Sequence, residues 1–71
     1  MTTEHDTLAN RFTYHAPKGD QPRRYERIRR AAYWFARFVC RFTPPSRERE
    51  IALARLEEAV FWANAAIARN E

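Results

Sequence analysis

Apolar residues recur at helical spacing along two long stretches of this chain. In the first, Tyr25, Ile28, Ala32, Phe35, Val39 and Phe42 step 3-4-3-4-3, a heptad-like stripe. Ala31, Trp34 and Phe38 widen it on one side. At roughly 100° per residue the apolar arc covers more than half of the helix circumference, more than one partner helix can cover. In the second stretch Leu53, Leu56, Val60, Ala63 and Ile67 step 3-4-3-4. Its front half, 47–58, has a charged outer face. Its back half, 59–68, is apolar nearly all round: Phe61 and Trp62 point away from the stripe, and Ala59, Ala65, Ala66 and Ala68 fill the gaps. A helix that is apolar all round is buried all round. In a two-helix chain only neighbouring subunits can bury it. Asn64 is the polar exception in this half, placed either to fix register or to touch a ligand.

Local signals bound the two helices. Pro22 suits a first helical turn, with Asp20 or Gln21 as cap. Thr43-Pro44-Pro45 stops the helix and Ser46 caps the next. The spacing therefore predicts an all-α fold, an N-terminal arm over 1–21 and an antiparallel two-helix hairpin over 22–71, with helices at about 22–42 and 46–69, assembled as a symmetric oligomer. Within the arm, Thr3-Glu4-His5-Asp6 can cap a short helical turn through Asn10. Arg11 to Ala16 alternates and precedes Pro17, which predicts extended chain, and Lys18-Gly19-Asp20 reads as a turn.

Length sharpens the oligomer argument. A chain of 71 residues makes one small domain, and such domains bury only about 60% of their unfolded surface. A single cysteine, Cys40, allows no internal disulfide, and His5 and His15 without nearby cysteine make a poor zinc set. Association is the remaining route to stability. The net charge is +4, unevenly placed: seven arginines stand against Glu26 alone in residues 22–42. Twelve of the thirteen basic residues are arginine, with Lys18 the exception, which favours planar, bidentate phosphate contacts. The first ten residues, MTTEHDTLAN, carry no apolar signal core, and no run approaches a membrane span, so the expected compartment is the cytoplasm.

No catalytic constellation is visible. Ser46 is accounted for as a cap, Cys40 as a small interface filler, and Glu57 and Glu58 point to different sides of a helix, so no enzyme activity, cofactor or metal is expected. Phosphate binding is better supported. Arg23, Arg24, Arg27, Arg29 and Arg30 crowd a helix start, where unpaired N–H groups favour anions. On the wheel Arg29 flanks the apolar stripe and can line a crevice, while Arg23, Arg30, Arg37 and Arg41 sit on the far face. Phe12 and Tyr14 either fold over that crevice or staple the arm to a neighbour. His15 either meets a phosphate or is structural. Arg69 shares a face with Trp62, suited to a symmetry-related partner, to the helix C-terminus or to a second anion.

The blocks RFTYHAPKGDQPRRYERIR (11–29) and LEEAVFWANAAIARNE (56–71) resemble the phage anti-CBASS cyclic-oligonucleotide sponges, of the helical-hairpin family shared with the phage anti-Thoeris sponge. The resemblance implies a phage-encoded hexamer of small hairpins in the host cytoplasm. Such an assembly sequesters cyclic di- and trinucleotide immune signals intact, so that effectors stay inactive. It implies a dinucleotide pocket between subunits, built from Tyr14 and Arg29 and shaped by His15, Pro17, Lys18 and Gly19. A trinucleotide site would lie where several subunits meet, at Arg69 with Asn64 and Arg11. Ala16 stands where relatives commonly have a second proline. Membrane and DNA or RNA polymer are not among the implied partners. The alternative is a small basic helical nucleic-acid-binding protein, motivated by the +6 charge of residues 22–42.

Overall fold

A long hairpin of two helices, with a short helix set against its open end, is the architecture of the computed structural model, which describes residues 4–71. α1 spans Glu4–Phe12, α2 Gln21–Phe42 and α3 Arg47–Asn70, and there is no strand among the described residues. α2 and α3 run antiparallel: Gln21 and Arg24 meet Glu71 at one end, and Arg49 meets Cys40 and Thr43 at the other. The radius of gyration is 15.7 Å, against about 11 Å for a compact domain of this length, because the paired helices extend without folding back.

Each junction has a local cause. Ser46 is extended and its Oγ accepts from the Arg49 amide at 3.1 Å, while Glu48 and Glu50 place negative charge at the positive end of the α3 dipole. The Arg49 side chain reaches back to cap the end of α2. It donates to the Cys40 carbonyl at 2.8 Å, to Thr43 Oγ1 at 3.1 Å and to the Thr43 carbonyl. At the start of α2, Asp20 occupies the cap position without a side-chain cap bond, and its carboxylate lies 3.3 Å from Arg24 Nε instead. Gln21 closes the turn reciprocally: its Oε1 accepts from the Lys18 amide at 3.1 Å and its own amide donates to the Lys18 carbonyl at 3.0 Å. Gly19, at φ 58°, supplies the left-handed residue this turn requires.

Two expectations are corrected. Arg11 and Phe12 are not extended: α1 runs through Phe12, and irregular chain begins at Thr13. Proline restricts the residue directly before it, so Pro17 acts on Ala16 and leaves Arg11 and Phe12 free to be helical. The capping expectation at Thr3 lies outside the described residues. The second correction concerns the α2 stripe. Tyr25, Ile28, Ala32, Ala36 and Val39 are the half-buried apolar positions, whereas Phe35 and Phe42 are 56% and 65% exposed. A 3.6-residue helix drifts about 20° per heptad away from a strict 3-4 pattern, which rotates Ala36 into the seam in place of Phe35.

Among the described residues no apolar side chain is buried in the single chain, and Gln21 is the one buried residue. Trp34, Phe38, Phe61 and Trp62 all stand more than half exposed. Phe35, Phe38 and Phe42 form an exposed aromatic ladder, with ring centroids 6.2 and 4.7 Å apart. Arg37 lies 5.3 Å from the Trp34 ring. No helix is long and apolar enough to cross a membrane among the described residues.

Candidate functional site

The arm is fixed to the open end of the hairpin by polar contacts. Asn10 Nδ2 donates to the Arg69 carbonyl at 3.2 Å, the Arg69 guanidinium donates to the Arg11 carbonyl at 3.4 Å, and His15 Nε2 lies 2.9 Å from the Asn10 carbonyl. Beside them Arg24 forks onto Glu71, with Nη1 donating at 2.8 Å to one carboxylate oxygen and Nη2 donating to the other, and Gln21 Nε2 adds a longer contact at 3.4 Å. The hydrogen bond from Arg24 holds the Glu71 carboxyl below its ordinary range, and the bond from Gln21 acts in the same direction. The same hydrogen bond raises Arg24 further above its ordinary value, against the opposing effect of desolvation. Arg24 is therefore a structural arginine and not the free phosphate ligand its place at a helix start suggests.

Arg29, one and a half turns further on, has a different setting. It lines a groove of about 570 Å³ between α2 and α3, whose other walls include Tyr33, Leu53, Glu57 and Phe61. No hydrogen bond or ion pair engages the Arg29 guanidinium among the described residues. Neither Tyr14 nor Phe12 lines this groove, and both are 81% exposed. Pro17, Lys18 and Gly19 are exposed at the turn before α2, and His15 is half-buried. The chain thus presents an aromatic arm and an Arg29-lined groove as separate surfaces.

A second hollow, of about 370 Å³, is lined by Glu58, Phe61, Trp62, Ala65 and Arg69. Arg69 is half-buried there. Asn64 does not line it. Its Oδ1 is closed off from solvent with no hydrogen-bond partner among the described residues, an unmet demand on an apolar helix face with Val60, Phe61 and Ile67 as neighbours. Arg11 reaches Arg69 through its carbonyl, while its guanidinium lies 5.8 Å from the Phe12 ring.

A family model described as Acb2/Tad1, hairpin domain, matches residues 4–68. The chain belongs to this family. It is the anti-CBASS/anti-Thoeris sponge family of phage anti-defence proteins, which act by binding rather than by catalysis. Neither the curated proteins nor the solved structures contain a match to the chain. Within this sponge-family chain the residues that sequence reasoning misses are the partners in the clasp. Gln21 was readable as a helix cap, but its contact with Glu71, 50 residues away, carried no local signal.

Proposed function

We propose that the protein binds and sequesters cyclic di- and trinucleotide immune signals without degrading them and so blocks activation of CBASS effectors, in the host cytoplasm of a phage infection. The observation that carries this reading is the family match over residues 4–68. The geometry supports it: an arginine with no hydrogen-bond or ion-pair partner among the described residues sits in an aromatic-walled groove, where guanidinium can fork onto phosphate and bases can stack. Tyr14 reaches the Arg29 groove from a neighbouring subunit, with His15, Pro17, Lys18 and Gly19 shaping the arm that carries it. Arg69, with Asn64 and Arg11, forms the trinucleotide site where subunits meet, and the unpartnered Asn64 oxygen is satisfied there. Association as a hexamer buries the exposed aromatic flank that one chain leaves in water.

The test is titration calorimetry against cyclic di- and trinucleotides, followed by heat denaturation and mass analysis of the released ligand. Saturable binding with intact ligand recovered is expected. Degraded ligand would make the protein an enzyme, and no binding to any cyclic oligonucleotide would end the proposal. The competing reading, a binder of nucleic-acid polymers, draws on the exposed arginines Arg23, Arg27, Arg30, Arg37 and Arg41 along α2. It requires affinity that grows with polymer length and falls steeply with salt. A gel-shift titration at two salt concentrations separates the two.

A further inference from the structure

We propose that Glu57 reads the base of the bound cyclic dinucleotide and gives the Arg29 groove a preference for guanine; the inference rests on the sponge reading of the chain.

The groove carries opposite charges on its two walls: Arg29 on α2, Glu50 and Glu57 on α3. Of the two carboxylates, Glu50 has an ordinary explanation, since it lies in the first turn of α3 where the helix dipole favours an acid. It is also seven residues before Glu57, about 10 Å further along the helix axis, toward the closed end of the hairpin. Glu57 has no such explanation. It lies in mid-helix, one turn before Phe61, and lines the groove together with Tyr33. No ion pair or side-chain hydrogen bond engages it among the described residues, although its neighbour Glu58 is held by Arg55 at 3.1 Å. Arg29, two aromatic rings and an unengaged carboxylate therefore share one hollow.

A ligand that satisfies all of them carries an anion, a flat ring and paired hydrogen-bond donors. A carboxylate only accepts. Guanine offers N1–H and N2–H₂ side by side, so both oxygens of Glu57 are met at once by a charge-assisted pair. Adenine offers N6–H₂ beside the N1 lone pair, which would face a carboxylate oxygen and leave both unsatisfied. With phosphate on Arg29 and the base against Phe61 or Tyr33, the Glu57 side chain is the group left to discriminate between bases. Glutamine at this position presents one acceptor and one donor, the pattern that suits adenine.

Calorimetry with cyclic di-GMP and cyclic di-AMP on the wild-type protein and on Glu57→Gln tests this. The wild type is expected to bind cyclic di-GMP about tenfold or more tightly than cyclic di-AMP. Glu57→Gln is expected to weaken cyclic di-GMP and to hold or tighten cyclic di-AMP, collapsing the preference. Equal wild-type affinities overturn the inference, as does a guanine preference that persists in the variant. Both results leave the sponge reading intact. The wild-type comparison decides the matter even if the variant misfolds. Failure of the wild type to bind any cyclic oligonucleotide overturns the sponge reading and this inference with it.

Discussion

Arg24 and Arg29 lie five residues apart on α2 and meet opposite surroundings. Arg24 sits at the open end of the hairpin, forked onto Glu71 and flanked by Asp20, with the buried Gln21 beside it. Arg29 lines a groove with aromatic walls, and no ion pair or side-chain hydrogen bond engages it among the described residues. The same contrast divides the molecule. At the clasped end, Asn10, Arg69, Gln21 and Glu71 satisfy one another across the chain. Along the groove and the outer flank, Phe61, Trp62 and Glu57 stand exposed and the oxygen of Asn64 has no partner among the described residues. Local sequence density of arginine does not distinguish the two settings; the facing helix does.

The most severe way to break this contrast is to place charge on the apolar flank. Trp62→Glu puts a carboxylate where the proposed assembly would bury an indole, and the mass in solution is expected to fall to that of a single chain, measured by light scattering. A mass unchanged from the wild type would mean the flank is not the seam.

A paired comparison sharpens it next. Arg29→Ala is expected to weaken cyclic dinucleotide binding by roughly 10- to 100-fold, the loss of a charge-assisted contact, with the melting temperature unchanged. Arg24→Ala is expected to do the reverse, lowering the melting temperature while leaving the intrinsic affinity intact. Gln21→Ala removes a buried side chain and the side-chain acceptor of the part-buried Lys18 amide and is expected to cost about 1 kcal/mol in chemical denaturation. Ser46→Ala, at the other end of the hairpin, removes the α3 cap and is expected to cost about 1 kcal/mol.

The smallest expected effect is one of pH. Glu71 ionises more readily in the folded protein than in the unfolded chain, so its contribution is fully present above the ordinary glutamate value of about 4.3. It is lost as pH falls through the depressed folded value. Thermal melts of the wild type should therefore weaken below about pH 4.3 more than those of Glu71→Gln. Equal weakening would remove the clasp as a source of acid sensitivity.

Helix content was legible in the sequence because its signals are local: the 3-4 spacing of apolar residues, the Pro44-Pro45 stop and the Ser46 cap each act within a few residues. The end of α1 was not, because Pro17 restricts Ala16 and leaves no local mark on Arg11 and Phe12, and neither was the replacement of Phe35 by Ala36 at the seam, which follows from accumulated helix drift. At the site, the place of Arg29 beside the apolar stripe was readable from the helical wheel, and it does line the groove between helices. The engagement of Arg24 and the isolation of Glu57 depend on residues far along the chain and emerge only when α2 and α3 are laid together.

The central claim is that the ligand pocket is completed by two chains, with Tyr14 from one and Arg29 from another. Co-expression of Tyr14→Ala with Arg29→Ala subunits tests it most directly, by measuring cyclic dinucleotide binding of the co-assembled protein. Each variant alone is expected to bind weakly or not at all, and the mixed assembly to recover high-affinity sites, because some seams pair an intact Tyr14 with an intact Arg29. A mixed assembly that binds no better than either parent would contradict the account.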